Sequence, residues 1–288
     1  MIATFVIFLR EGIEASMIVA ILLAYLDRIG QRRHFRDVLL GVAAAVALAS
    51  GGGVAAYLTI RTYAGSRTQT IFETATFAVA AVLLTYMTFW MRSHARTISA
   101  DLRARTEAAL GRGERLGLAL LAFQAVGREG VETAVFTLAI VFATGTRGTL
   151  AGGTAGIALA LVVAVLVYRL GRRLNLARFF TVVGALLMVF AAGLVADTVE
   201  NLQQLGWVHL LDHPMWNTGH VLSEGSALGD VVHSLLGYAQ QPTPLQLVAY
   251  VAYLAAALAA FLRSGRPGSG HARSSAHRPA GPDAPAAA

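Results

Sequence analysis

Seven long apolar stretches constrain this chain more than any other feature of its sequence. They lie near residues 2–26, 38–60, 69–91, 117–142, 149–168, 179–199 and 245–262. Each is long enough to form a helix that crosses the hydrocarbon core of a bilayer, which takes roughly 20 residues. Hydrophobic residues make up 56% of the 288-residue chain, whereas only 14% are charged. The sequence therefore predicts an all-α integral membrane protein with seven transmembrane helices.

Positive charges are unevenly distributed among the predicted loops. All 23 basic residues are arginine, and most of them lie after the first, third and fifth stretches or in the C-terminal tail. Such an excess marks the cytoplasmic side of a membrane protein, so we expect the N-terminus outside and the C-terminus inside. The net charge of +7 is then a topology signal, and no nucleic-acid partner is predicted. The tail at 264–288, rich in Gly, Pro, Ala and Ser, is predicted to be disordered and cytoplasmic.

The same charged motif interrupts two of the apolar stretches. "REGIE" occupies residues 10–14 in the first, and "REGVE" occupies residues 128–132 in the fourth. The first and fourth spans run in opposite directions, so the sequence predicts two inverted three-helix repeats, about 2–91 and 117–199, followed by a seventh helix at 245–262. Inverted repeats are common in secondary transporters, which bind their substrate near the bilayer midplane at the repeat interface.

The spacing within each motif places its charged side chains together. Residues three or four apart share one face of a helix, so Glu11 and Glu14 project together and Arg10 can pair with Glu14. The same relations hold in the second motif, among Arg128, Glu129 and Glu132. An arginine at this position would hold the carboxylates charged and in place while the site is empty.

Each motif also contains a glycine, Gly12 or Gly130, that lets another backbone approach closely. Two helices that cross at these glycines would bring the four glutamates together. Four carboxylates and two guanidinium groups sum to −2, which suits a divalent cation, and an all-oxygen site suits a hard one. The chain has no cysteine, and none of its eight histidines lies in a predicted span. Zinc, copper and Glu-x-x-His di-iron sites are therefore disfavoured.

A simpler interpretation is that each arginine and glutamate form a salt bridge that only helps the helices to assemble. Two copies at midplane depth, each with an additional glutamate that its arginine does not neutralise, favour a functional site, since charged residues inside a membrane are costly. Glu73 is a third acidic residue within a predicted span. It either lines the ion pathway or reaches the headgroups from the outer end of its helix.

The paired motifs resemble those of the oxidase-dependent iron transporter family, which includes the fungal high-affinity iron permeases and the bacterial EfeU permeases. Supporting segments are "VLLTYMTFWMR", "NLQQLGW", "ALGDVVHSLLGY" and "VAYVAYL". The resemblance covers about residues 1–262 and implies a permease, not an enzyme, that moves iron inward across a plasma or inner membrane. It implies that Glu11, Glu14, Glu129 and Glu132 are needed for passage, with iron as substrate and no resident cofactor. The longer acidic external motifs of the fungal members are absent, which favours the bacterial branch and a bacterial inner membrane.

The predicted external segment at 201–244 carries no Arg or Lys, and the stretch from Asp197 to Gln241 fits an acidic entry vestibule. With the adjoining end of the sixth span it contains five acidic residues: Asp197, Glu200, Asp212, Glu224 and Asp230. Such a field concentrates cations, and the i,i+3 pair of Asp197 and Glu200 is a candidate for receiving the ion first. External loops are also mildly acidic simply because arginine is kept inside. The four histidines of the segment, His209, His213, His220 and His233, are weaker candidates.

Two other functions fit the same residues. One is transport of another hard divalent cation such as Mn²⁺, and the other is a membrane-embedded metalloenzyme that uses the carboxylate cluster. Fe²⁺ and Fe³⁺ both remain open, because hydroxyl groups or water can complete the coordination of the more highly charged ion. An external oxidase or peroxidase and a periplasmic or extracellular iron-binding protein are candidate partners, in addition to iron and the lipid bilayer.

Overall fold

The computed structural model describes residues 2–94, 98–111, 115–170 and 176–264. Within these ranges the chain is helical, with no β-strand. The helices are α1 (Ile2–Arg28), α2 (Phe35–Arg61), α3 (Arg67–His94), α4 (Ile98–Gly111), α5 (Arg115–Thr144), α6 (Thr146–Leu170), α7 (Leu176–Gln204), α8 (Ala227–Leu236) and α9 (Pro244–Ser264). The predicted disordered tail lies outside the described residues, apart from Ser264.

Every predicted span coincides with a helix whose ends lie within a few residues of the predicted ones: α1, α2, α3, α5, α6, α7 and α9. Five of these, α2, α3, α6, α7 and α9, are long and apolar enough in themselves to cross a membrane. The other two, α1 and α5, are equally long but carry the charged motifs. The all-α membrane fold is thus supported, with five candidate membrane-spanning helices.

The long helices pack in pairs. Helix α1 lies along α6, α2 lies along α5, and α3 packs against α7, which also contacts α9. The two motif helices, α1 and α5, contact each other directly. A buried apolar cluster joins α1, α3, α5 and α7, with Ile7, Leu84, Phe136 and Leu194 among its members. This cluster fixes the motif helices against the central pair α3 and α7.

Two shorter helices lie outside the predicted spans. Helix α4 packs against α1 and α5 and buries Leu102 and Thr106, while Tyr25 on α1 donates a hydrogen bond to Glu107 at 2.7 Å. Helix α8 begins at a serine cap, since Ser226 accepts a hydrogen bond from the amide of Gly229. It ends at Gly237, whose φ of 65° is in the left-handed region that glycine adopts without strain.

Helix α8 enters the bundle from the external segment. Its terminal Gly237 is in such close contact with Gly193 on α7 that a Cβ on Gly237 would lie 2.6 Å from the Gly193 Cα. Gly193 lies within the apolar span Thr181–Gln204, roughly 16 Å before its end at 1.5 Å per residue. Helix α8 also contacts both motif helices. The acidic segment predicted to form an entry vestibule therefore packs in part against α1, α5 and α7.

Candidate metal centre

Three glutamates from the two motifs come together between α1 and α5. Carboxylate oxygens of Glu11, Glu14 and Glu129 all lie within 4.8 Å of one another, close enough to share one metal ion. We call these three residues the carboxylate trio. All of them are buried, because the i,i+3 spacing turns Glu11 and Glu14 toward α5 while Glu129 faces back from it. The structure brings these three residues together, and their role as metal ligands remains a prediction.

Arg10 is the counter-charge of the trio. Its Nε donates a hydrogen bond to Glu14 Oε1 at 3.0 Å, and its Nη1 lies 3.2 Å from Glu11 Oε1. The side chain is only 3% exposed, so this ion pair is desolvated as fully as the glutamates themselves. The predicted i,i+4 pair is present, and Arg10 additionally approaches the neighbouring glutamate.

Several polar atoms of this centre have no hydrogen bond among the described residues. They are both carboxylate oxygens of Glu11, Glu129 Oε2, and Nη1 and Nη2 of Arg10, although Nη1 remains in ion-pair contact with Glu11. Buried polar atoms are nearly always hydrogen-bonded, because leaving one unpaired costs about 1–3 kcal/mol and more when it is charged. Three carboxylates and Arg10 sum to −2 when all are ionised. A divalent cation would supply both the missing contacts and the missing charge.

Glu132 does not belong to the trio. Its Oε1 accepts a hydrogen bond from Arg128 Nε at 3.1 Å, while its Oε2 is buried without a partner among the described residues. The Arg128 guanidinium lies over the ring of Trp90, 4.5 Å from the centroid, and its Nη2 is 2.8 Å from Met87 Sδ. Unlike Arg10, the Arg128 side chain is 40% exposed. The second motif therefore divides its glutamates, with one in the trio and one held by arginine.

The two glycines do not meet, so the predicted crossing of the motif helices at Gly12 and Gly130 is wrong. A Cβ on Gly12 would lie 2.7 Å from Ala160 Cβ on α6, and a Cβ on Gly130 would lie 2.8 Å from Ala49 Cβ on α2. The glutamates occupy the face between α1 and α5, which turns each glycine toward the helix on the other side. The glycines thus permit the close pairs α1–α6 and α5–α2.

Two cavities flank the motifs. One, of about 630 Å³, lies between α1, α2, α5 and α6 and reaches Glu11 and Glu129. Its walls are mostly apolar but include Thr133 and Thr137, each of which donates its hydroxyl proton to the carbonyl four residues earlier. The other, of about 720 Å³, lies between α2, α3 and α5 and reaches Arg128 and Glu132. The two cavities share a wall formed by Ala49, Gly53, Ala134 and Leu138 of α2 and α5, and each reaches different charged residues.

The other predicted pathway residues lie away from the trio. Glu73 on α3 accepts a hydrogen bond from Gln69 at 2.6 Å and lines neither of these cavities. Asp197 and Glu200 lie near the C-terminal end of α7, and Glu200 accepts hydrogen bonds from glutamines at 2.8 and 3.1 Å. A pathway role for these three acids remains a prediction.

One external histidine is packed into the bundle. His233 on α8 is half-buried, and its Nδ1 lies 2.7 Å from the carbonyl oxygen of Tyr238. Burial opposes protonation of His233, but the carboxylate of Asp197, the Tyr238 carbonyl and more distant acids outweigh it and raise the pKa of the histidine above its usual value. The electrostatic potential at His233 is therefore negative.

Some residues around the centre carry no signal in the sequence. Met87 and Trp90 look like ordinary apolar residues of α3, and nothing in their spacing connects them with Arg128. Thr133 and Thr137 lie one and two turns beyond Glu129, so their place beside the cavity follows from helical spacing once Glu129 is assigned. A search for polar residues in register with the motif would have found the threonines but not Met87 or Trp90.

Comparison with known proteins gives one family. The model of the iron permease FTR1 family matches residues 1–265. The chain is 33% identical over 276 residues to the ferrous iron permease EfeU of Escherichia coli O157:H7 and to that of Shigella sonnei, covering 95% of this chain and 100% of each relative. It is 32% identical over 281 residues to ferrous iron permease EfeU of Yersinia pestis, covering 96% and 99%. No solved structure matches the chain.

Proposed function

Because the chain belongs to the iron permease FTR1 family, we propose that it moves iron inward through a midplane site built from the carboxylate trio, with Glu132 as a fourth ligand. A permease moves its substrate without converting it, so the chain is a transporter and not the membrane-embedded metalloenzyme that its sequence also allowed. The predicted multi-pass location in a bacterial inner membrane agrees with this membership and with the apolar helices.

The observation that carries the proposal is the set of buried carboxylate oxygens without hydrogen-bond donors. A salt bridge that served only assembly would leave Arg10 and Glu14 matched. The centre has two further glutamates close by, and Glu11 has only an ion-pair contact with Arg10 and no hydrogen bond among the described residues. Removing three carboxylates from water is strongly unfavourable unless they take up protons or a cation joins them. The arrangement therefore supports an ion site more than a structural pair.

The packing supports the proposed inverted repeat. If α1–α3 correspond to α5–α7, the pair α1–α6 corresponds to α5–α2, and these are two of the most extensive helix pairs. The close contacts show the same correspondence. Gly12 on α1 contacts Ala160 on α6, and Gly130 on α5 contacts Ala49 on α2. We propose seven membrane spans with the N-terminus outside, in which α1 and α5 cross the membrane in opposite directions.

We further propose Fe²⁺ as the transported ion. The names of the relatives specify ferrous iron, and the charge of −2 on the trio with Arg10 suits a divalent ion. The membrane potential would favour entry of Fe²⁺ by roughly 4.6 kcal/mol per 100 mV. Mn²⁺ remains the second candidate, because carboxylate ligands alone distinguish poorly between these ions. Delivery by an external oxidase or iron-binding protein rests on the family resemblance alone.

Metal uptake by purified protein in liposomes tests this proposal. Fe²⁺, Fe³⁺ and Mn²⁺ should be compared under one imposed membrane potential, with the wild type beside Glu11→Gln and Glu129→Gln. We expect Fe²⁺ uptake by the wild type and only background uptake by both variants. Glu107→Gln on α4 is the matched control, since it neutralises a glutamate outside the centre, and it should retain uptake. Normal uptake by Glu11→Gln would overturn the carboxylate site.

Cysteine labelling tests the proposed topology, because the chain has no cysteine of its own. Single cysteines at Ser66 and Ser223 should react with an impermeant thiol reagent in intact cells. A cysteine at Ser99 should react only after the membrane is opened. Labelling of position 99 from outside would contradict both the orientation and the inverted repeat.

A further inference from the structure

Asp197 and His233 lie side by side where α8 packs against α7. Asp197 is one turn beyond Gly193 on α7, and His233 is one turn before Gly237 on α8. Because the two glycines are in contact, antiparallel packing brings the residues one turn away on each helix together. Each of the two also exerts the largest electrostatic influence of any charged group on the other. They therefore face each other across the contact between α7 and α8, with no direct ion pair between them.

The hydrogen bond to Tyr238 fixes which nitrogen of His233 is available. A carbonyl oxygen only accepts hydrogen bonds, so the 2.7 Å contact requires the proton to be on Nδ1. The neutral ring then keeps its lone pair on Nε2. Histidines that bind metals characteristically donate their other N–H to a carbonyl or carboxylate in this way, which fixes the tautomer and the orientation of the ring.

Asp197 is the carboxylate that remains available in this region. Glu200 accepts a hydrogen bond from Gln246 at 2.8 Å, and Glu224 accepts one from the backbone amide of Gln240. Among the described residues, no hydrogen bond to the carboxylate of Asp197 is found. The pair therefore offers one unengaged carboxylate and one imidazole lone pair in a negative field.

We infer that Asp197 and His233 form an outer metal site that holds a divalent first-row transition-metal ion before it reaches the carboxylate trio. This inference rests on the proposed transport function. Imidazole suits iron and zinc, whereas Ca²⁺ and Mg²⁺ favour all-oxygen sites. The outer site therefore selects against the abundant hard cations Ca²⁺ and Mg²⁺. A trio of carboxylates alone does not provide this selection.

The competing explanation is that Asp197 and His233 only hold α8 against α7. An uncharged amide pair, Asp197→Asn with His233→Gln, distinguishes the two. The amides keep much of the size and polarity of the original side chains and so preserve the docking, but they replace the imidazole ligand and the anionic one. A structural pair would tolerate this change, whereas a metal site would not.

Binding of Mn²⁺, as a paramagnetic probe, tests the site without transport. The protein carries Glu11→Gln and Glu129→Gln to remove ligands of the midplane site. We expect pulsed electron paramagnetic resonance to detect nitrogen modulation from one imidazole on bound Mn²⁺. The modulation should disappear with His233→Gln and persist with His213→Gln, the matched control, because His213 neighbours Asp212 but is 96% exposed. Absence of nitrogen modulation in the starting protein, or its persistence in His233→Gln, would overturn the inference.

Uptake in liposomes gives the second measurement. We expect His233→Gln and the amide pair to raise the KM for Fe²⁺ by at least about tenfold, the lower end of the effect of losing a supporting metal-site residue. The maximal rate should change little, because the trio is intact. The elution profile and Tm in detergent, measured without metal, identify variants that fail to fold. An unchanged KM in the folded amide pair rejects the outer site, whereas absence of iron uptake by the wild type rejects the transport proposal itself.

Discussion

Arg10 and Arg128 hold the same position in two nearly identical motifs, yet they have different surroundings. Each donates a hydrogen bond to the glutamate four residues later, at 3.0 and 3.1 Å. The Arg10 side chain is 3% exposed and approaches a second glutamate, whereas the Arg128 side chain is 40% exposed and lies over Trp90. The spacing within each motif determines which arginine and glutamate pair. Packing against other helices determines how deeply each arginine is buried and how many glutamates it contacts.

This difference suggests a division of labour between the two halves. Arg10 is confined with the trio and holds two of its glutamates in place. Arg128 borders a cavity and holds only Glu132, so its guanidinium has room to move away when an ion arrives. The first motif would then act as the fixed part of the site and the second as its adjustable part. The following four predictions test this comparison.

The largest difference is expected when each arginine is removed singly. Arg10→Met leaves Glu11 and Glu14 buried without their counter-charge and should reduce the free energy of unfolding by about 3–5 kcal/mol. Arg128→Met leaves the buried Glu132 without its ion-pair partner, but only one glutamate is affected and Arg128 itself is 40% exposed. The loss should therefore be smaller, about 1–3 kcal/mol. Thermal unfolding of both variants in detergent measures the difference. Equal losses would show that the unequal exposure has no energetic consequence.

Removing both charges of an Arg–Glu pair should affect iron uptake differently in the two motifs. Arg10→Met with Glu14→Gln leaves no unpaired charge from this pair, so the protein should fold, but it lacks a ligand of the trio and should not transport iron. Arg128→Met with Glu132→Gln leaves the trio intact and should retain partial uptake. The measurement is iron uptake per folded protein. Full rescue by the first double variant would make Arg10 and Glu14 a structural pair only.

The two halves should behave alike at their glycines. Gly12→Ala and Gly130→Ala each place a methyl group within 2.8 Å of an alanine Cβ, and overpacking of this kind costs about 1–3 kcal/mol. Ala160→Gly should restore the first variant and Ala49→Gly the second. The Tm of each single and double variant measures this. Rescue in one half alone would contradict the equivalence of the pairs α1–α6 and α5–α2.

The smallest effect is expected at Trp90. Trp90→Leu removes the ring beneath the Arg128 guanidinium, an interaction worth roughly 0.5–1 kcal/mol at a partly exposed site. We expect a small decrease in Tm and a modest change in the KM for iron. Combination with Arg128→Met is the control, because the tryptophan change should then add little through this interaction. Additive effects in the double variant would mean that the ring contributes only apolar packing.

The sequence predicted the helices well because length, hydropathy and arginine placement are local or compositional signals. It also predicted that Glu11, Glu14 and Glu129 share a site, because helical spacing and the repeated motif both point there. The same reasoning placed Glu132 on equal terms with them, and the structure does not. That distinction depends on Trp90 and Met87, which reach Arg128 only through the packing of α3 against α5.

The glycine prediction failed for a related reason. A glycine in a membrane helix indicates a close neighbour but does not identify it. Gly12 and Gly130 were assigned to each other because they occur beside the glutamates, whereas they contact α6 and α2. Helix α8 was missed because its ten residues are too few to span a bilayer. Its position depends on the long-range contact between Gly193 and Gly237.

The hydroxyl protons of the threonines in the cavity beside the trio are already engaged in hydrogen bonds. A hydroxyl has one hydrogen to donate and two lone pairs to offer, and Thr133 and Thr137 donate theirs to carbonyls of their own helix. Thr149, which also lines the cavity, does the same toward Gly145. Their oxygens can therefore replace part of the water shell of a cation but cannot donate a hydrogen bond to an anion. These three threonines therefore favour a bare cation over iron held in an anionic chelate.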